Sequence, residues 1–175
     1  MPGRSTDVES MIRVDHAGEY GAVRIYEGQL AVFDALNRTS KAADAIRAMA
    51  QAEQRHLKTF DRLVNERKVR PTALAPVWRM AGFALGAATA LMGEKAAMAC
   101  TAAVEEVIDG HYASQLQRLD SDTELKKTVE DFRNDEIAHR DEALAHGAEQ
   151  APGYRLLSEA IKSGCRLAIK LSERI

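Results

Sequence analysis

The sequence predicts an all-α fold, a four-helix bundle carrying additional helices, on three observations. Its 175 residues are 46% hydrophobic but only 5% aromatic, and four prolines and eleven glycines leave long alanine-rich stretches free of helix breakers. Apolar residues recur at spacings of three and four in segment after segment. A weak internal repeat joins two halves of the chain, each with a lone glutamate followed by a Glu-x-x-His. The length suits one domain with a single core, and no linker or low-complexity run divides it, so residues 1–175 read as one unit.

Six helical segments follow in order. The first, about 6–36, aligns Ile12, His16, Glu19, Val23, Tyr26, Leu30 and Phe33 on one stripe. Asn37 to Ser40 is a turn, with Ser40 placed to cap the next helix. The second, about 41–68, carries Ile46, Met49, Glu53, Leu57, Phe60 and Val64 on one face, and Pro71 and Pro76 then interrupt. The third, about 77–93, is uncharged from Met80 to Gly93, between Arg79 and Glu94. That run is shorter than the ~20 residues that span a bilayer but suits a buried or interfacial helix. The fourth covers about 95–119. Ser121-Asp122-Thr123-Glu124 has capping-box spacing at the start of the fifth, about 122–147. Pro152 is placed to open the sixth, about 152–172, with Leu157, Ile161, Cys165, Ala168 and Leu171 inward.

Charge and cysteine usage exclude several classes. A net charge of −2 gives no basic excess to attract a nucleic acid. Cys100 and Cys165 match no zinc or redox spacing and read as free thiols of a reducing compartment. No apolar signal segment is seen near Met1, so a cytoplasmic location is expected.

Glu-x-x-His puts both side chains on one helix face, one turn apart. Glu19 precedes Glu53-Gln54-Arg55-His56 at nearly the interval by which Glu105 precedes Glu136-Ile137-Ala138-His139. These polar residues fall on apolar stripes. Glu53 aligns with Met49, Leu57 and Phe60, Glu136 with Val129 and Phe132, and Glu105 with Ile108 and Tyr112. Glu106 and Asp135 fall instead on polar rows, and Glu27 shares one with Arg24 and Asp34. In antiparallel hairpins, Glu105 and Glu136 reach one level about a turn near Asp120, whereas Glu19 and the Glu53–His56 pair are offset by roughly 3–8 Å.

Four carboxylates facing one another in a core cannot all stay ionised, because desolvation costs several kcal/mol or more per charge. Two divalent ions neutralise them. Oxygen-rich ligation with one imidazole per ion suits iron or manganese better than zinc. One Glu from each of two helices, a Glu-x-x-His from each of the others, and one long crossover are the inventory of ferritin-like bundles with two iron or manganese ions. The expected metal ligands are Glu19, Glu53, His56, Glu105, Glu136 and His139. His16, one turn before Glu19, is read as its support, and His146 as a helix-end residue.

Longer motifs carry a resemblance. Arg13 to Ala22 (RVDHAGEYGA), Gly82 to Gly86 (GFALG), Ala97 to Thr101 (AMACT) with Val104-Glu105-Glu106, and Gly164 to Ile169 (GCRLAI) with Leu171 to Arg174 (LSER) together resemble the demethoxyubiquinone hydroxylases. The likeness extends from about Met11 to Ile175. Its ligand positions fall on the same six residues, and its His-Tyr pair on His111-Tyr112, which the resemblance makes further candidate catalytic residues. The resemblance implies a di-iron monooxygenase of ubiquinone biosynthesis that uses O2 and an external reductant to hydroxylate a polyprenyl methoxy-methyl-benzoquinone. The chain shows no mitochondrial targeting extension, so it is expected to be a bacterial form on the cytoplasmic face of the inner membrane. The apolar run from Met80 to Gly93, edged by Trp78 and Arg79, then reads as a peripheral membrane contact, with Phe83 and Leu85 among its charge-free bulk; packing on the bundle or on another subunit is the other reading. Other quinone-synthesis proteins and a second copy of the chain are the partners this reading admits. The alternatives are a storage or peroxide-scavenging protein on the same fold, and a metal-free helical docking module.

Overall fold

The computed structural model describes residues 2–119 and 122–175. These form six α-helices and one 3-10 turn, with no strand among the described residues. The helices are α1 (Pro2–Ala35), α2 (Lys41–Glu66), α3 (Ala75–Met92), α4 (Glu94–Leu116), α5 (Thr123–Ala145) and α6 (Tyr154–Ser172).

Local chemistry sets most of the helix ends. Asn37, at φ 49°, turns the chain out of α1. Ser40 is extended and its side chain accepts the Ala43 N–H at 3.1 Å, which starts α2 as the sequence predicts. Pro76 belongs to the first turn of α3 and does not interrupt it, since a first-turn proline loses no helical hydrogen bond. Asp122 caps α5 by accepting from Leu125 N–H at 3.1 Å, and Arg67 of the α2 end grips the same carboxylate. The expected Ser121 cap and the turn at Asp120 lie outside the described residues. Pro152 stands before α6, whose cap is Gly153 at φ 67°. A 3-10 turn at Ala148–Gln150, unforeseen in the sequence, tightens the approach to it.

Two antiparallel hairpins, α1–α2 and α4–α5, make the four-helix bundle, and α3 is the crossover between them. α6 packs along α4. The bundle interior is layered along its axis. Tyr26, Phe33, Ile46, Met49 and Met98 form one apolar cluster; Ile12, Phe60, Leu63, Leu125 and Phe132 form another. In every bundle helix the metal-ligand candidates fall between these two clusters in sequence.

α3 lies backbone-to-backbone on α1. A Cβ on Gly86 would stand 1.9 Å from Ile25 O, and one on Gly28 would stand 2.2 Å from Phe83 O. Glycine is required there for the two helices to approach. The opposite side of α3 leaves Val77, Met80, Leu91 and Met92 exposed. Phe83 and Leu85 are not that exposed bulk: Arg24 stacks over Phe83 at 5.5 Å, and Leu85 lines an internal cavity. No helix among the described residues is long and apolar enough to cross a membrane.

Candidate metal centre

The six predicted ligands converge. Glu19 (α1), Glu53 and His56 (α2), Glu105 (α4), and Glu136 and His139 (α5) are all buried in the bundle. Two four-residue groups result, Glu19–Glu53–His56–Glu136 and Glu53–Glu105–Glu136–His139, each offering ligand atoms within 4.8 Å of one another. The axial offset expected between Glu19 and the Glu53–His56 pair is therefore absorbed within side-chain reach.

The shared members show how the groups divide. Glu53 directs Oε2 toward His56 Nδ1 (3.7 Å) and Oε1 toward His139 Nδ1 (3.1 Å). Glu136 directs Oε1 toward His56 Nδ1 (3.1 Å) and Oε2 toward His139 Nδ1 (3.7 Å). Both carboxylates thus stand between the two imidazoles. Glu19 belongs to the His56 side, with Oε2 at 3.5 Å from Nδ1, and Glu105 to the His139 side.

The donor set fits divalent ions. Glu19 Oε2, both oxygens of Glu53 and Glu136, Glu105 Oε2 and the Nδ1 atoms of His56 and His139 are buried without a hydrogen-bond partner among the described residues. So many unsatisfied atoms in one core layer would each cost about 1–3 kcal/mol or more. Ions bound between them remove that cost.

Electrostatics tell the same story. Burial, then the Glu53 charge, holds the Glu19 carboxyl well above its usual range. Burial, then Glu136 and Glu53, does the same to Glu105. Burial also opposes ionisation of Glu53, but the imidazoles of His139 and His56 close beside it pull its carboxyl down to about 2. His139 loses by burial yet is raised to about 9 by Glu136 and Glu53. Without metal, protons and imidazolium stand in for cations.

Two tyrosines brace the cluster. The Tyr26 hydroxyl donates to Glu105 Oε1 at 2.6 Å, and the Tyr112 hydroxyl donates to Glu19 Oε1. His111 does not bond to the cluster; its Nε2 meets the buried Asp15 at 3.1 Å. His16 does not support Glu19. Its ring turns outward to Asp61 at 2.9 Å, because α1 is rotated to place that position at the α2 edge. His146 caps the end of α5 and bonds Glu142 at 3.0 Å, as its position implied.

Sequence reasoning missed Asp15, Tyr26 as a partner of Glu105, and Asp135, which meets His56 Nε2 at 3.0 Å. Asp15 lay inside the Arg13–Ala22 motif, and Asp135 lay beside Glu136; both signals were available.

An apolar cavity of about 600 Å³ opens beside the cluster. α1, α3, α4 and α6 supply its walls, through residues such as Ile25, Leu85, Val104 and Ile161. Its polar wall includes Glu19, Tyr112, His111 and Asp15. Cys165 also lines it; both cysteines are free, and burial pushes the Cys165 thiol up to about 11.

Fold and site define a ferritin-like helical-bundle protein whose buried carboxylate–histidine cluster is compatible with metal binding, opening on an apolar cavity. Residues 6–172 match the family model described as Ubiquinone biosynthesis protein COQ7, and the chain belongs to that family. It is 55% identical to a 3-demethoxyubiquinol 3-hydroxylase of Rhodospirillum rubrum, over 99% of this chain and 81% of the relative. It is 50% identical to the Homo sapiens mitochondrial NADPH-dependent 3-demethoxyubiquinone 3-hydroxylase, over 96% of this chain and 78% of the relative. A Saccharomyces cerevisiae mitochondrial 5-demethoxyubiquinone hydroxylase is 40% identical, over 96% and 78%.

Proposed function

We propose that this chain is an oxidoreductase that hydroxylates the ring of a demethoxyubiquinone or demethoxyubiquinol with O2, at two iron ions held by Glu19, Glu53, His56, Glu105, Glu136 and His139. One observation carries the reading: Glu19 is both a member of the buried ligand cluster and a wall of the apolar cavity. A ring seated in that cavity stands next to the cluster. Glu19, Glu53, His56, Glu105, Glu136 and His139 would hold the iron pair, which when bound would supply oxygen-activating redox chemistry.

The protein's own residues do the rest. The cavity walls take a hydrophobic ring and tail and exclude water from the reacting face. Tyr112 holds its proton against Glu19, and burial with the nearby Glu19 and Asp15 charges keeps that phenol protonated. His111, backed by Asp15, stands in the cavity wall beside the ring site, within reach of a bound quinone. Names of relatives such as the human enzyme point to NADPH as the source of electrons.

The quinone tail requires a membrane encounter. The exposed apolar side of α3, with Val77, Met80, Leu91 and Met92, supports peripheral attachment at a bilayer surface, here the cytoplasmic face of a bacterial inner membrane. A storage role on this fold would leave both that surface and the cavity without a purpose.

The test is incubation with demethoxyubiquinone, NADPH, ferrous-loaded protein and isotopically labelled O2, followed by mass spectrometry of the quinone. One labelled oxygen in the ring is expected. Product without label, or no product from iron-loaded protein under reducing conditions, overturns the assignment.

A further inference from the structure

The two halves of the metal centre are built from repeated motifs, yet their histidines are not held alike. His56 turns Nδ1 to the cluster and Nε2 outward, 3.0 Å from Asp135 Oδ2. Arg55 donates to the same carboxylate oxygen. The His56 ring also stacks on Phe132, with centroids 3.9 Å apart and planes at 24°. Arg55 in turn covers Phe132, 5.7 Å from its centroid. His56 is thus fixed by a carboxylate at its edge and an aromatic ring on its face.

His139 has no such support. Among the described residues no carboxylate meets its outer nitrogen, and its side chain is 11% exposed where that of His56 is fully covered. The sequence explains the difference. Aligning Glu53 with Glu136 sets Ala52 opposite Asp135 and Ala138 opposite Arg55. In the first Glu-x-x-His the residue before the glutamate is too short to reach across to the other helix; in the second it is an aspartate.

We infer that Asp135, held by Arg55, is a positioning residue for His56 and makes the two metal positions unequal, the Glu19–His56 position binding its ion more tightly than the Glu105–His139 position. A carboxylate on the outer nitrogen fixes the ring orientation and the tautomer, leaving Nδ1 free to ligate and making the imidazole a stronger donor. The favoured position is the one whose glutamate lines the cavity. This inference rests on the proposed metal site.

Anaerobic titration of metal-free protein with ferrous ion tests it, with Mössbauer spectra of the iron-57-loaded forms. The native chain is expected to bind two ions with two resolved affinities. Asp135→Asn weakens the tighter step by about 10–100-fold and shifts one of two quadrupole doublets. The weaker step and the second doublet stay in place. Arg55→Gln, at an exposed position, removes the donor to Asp135 and the cover over Phe132, shows a smaller loss at the same step and serves if the aspartate variant folds poorly. Two ions bound with both steps unchanged, or both weakened alike, overturn the inference while the metal site survives. No ion bound by the native chain removes the metal site and this inference together.

Discussion

Asp15 Oδ1 lies 3.1 Å from His111 Nε2 and accepts the Gln115 amide at 2.7 Å, so a buried carboxylate fixes the one histidine in the cavity wall. Burial raises the Asp15 carboxyl and His111 pulls it part of the way back. Gln115 Nε2 also stands 2.8 Å from His111 Nε2, so Asp15, Gln115 and His111 form one hydrogen-bonded relay at the cavity wall. His111→Ala is expected to lower quinone turnover by about 10²-fold or more. Asp15→Asn, which replaces the acceptor by an amide, is expected to lose much of the same factor with substrate binding little changed. His16→Ala, whose ring bonds the exposed Asp61, leaves turnover near the native value. Steady-state kinetics of the three variants decide it; full activity of Asp15→Asn removes the relay.

The shared and unshared carboxylates separate in a metal count. Glu53 stands between both imidazoles, whereas Glu105 belongs to the His139 group alone. Glu53→Ala should therefore lose both ions, and Glu105→Ala or His139→Ala one. All three should abolish hydroxylation with helices intact. Iron per chain after anaerobic loading, set beside circular dichroism, reads the difference. Equal stoichiometry in Glu53→Ala and Glu105→Ala contradicts the division drawn here.

Much of this site was legible in the sequence because a helix transmits periodicity faithfully. Once Glu53 aligned with Met49 and Phe60, its burial followed, and the same held for Glu105 and Glu136. What was not legible depends on distances between helices. Asp135 sits on a polar row of α5, and only the approach of α2 brings it to His56. His16 shares a stripe with Glu19, yet the rotation of α1 sends it to Asp61. The Gly82–Gly86 motif was visible, but its reason, the backbone contact with Ile25, needed α1 and α3 in place. Pro152 misled because proline is equally at home just before a helix and in its first turn.

That glycine contact gives a stability prediction. In Gly86→Ala the added methyl meets a backbone carbonyl that cannot move aside, so α3 must shift from α1. The expected cost is about 1–3 kcal/mol, a fall of several degrees in Tm for a chain of this size. Gly110→Ala, in an open helical position with nothing within 4 Å, should instead gain about 0.5–1 kcal/mol. Thermal unfolding of the two variants should move in opposite directions.

Metal removal should make stability depend on pH. In the metal-free protein His139 is raised from 6.5 to about 9, so its contribution is complete below about pH 6.5 and is lost as pH rises through 9. Glu19 and Glu105 are also raised, which favours their protonated forms and likewise removes stability as pH climbs above the usual carboxylate range. Glu53, lowered to about 2, is already fully ionised there and adds no slope. The Tm of metal-free protein should fall between pH 6 and 9, while iron-loaded protein, with these protons displaced, stays flatter. Calorimetry with and without chelator measures it, and a metal-free profile that rises with pH refutes the charge balance of the cluster.

The membrane surface is best tested away from the residues the sequence pointed to. Phe83 and Leu85 are engaged with Arg24 and the cavity, so charging them would damage the fold. Met80 is 76% and Leu91 66% exposed on the outer side of α3, where aspartate costs the protein nothing inside. Each large apolar side chain moved from water into lipid contributes about 1.5–3 kcal/mol. Met80→Asp with Leu91→Asp should thus lower partition onto phospholipid vesicles by about a hundredfold or more, with the Tm and the activity on a short-tailed, water-soluble quinone retained. Vesicle co-sedimentation equal to that of the native chain would mean that this side of α3 faces something other than lipid.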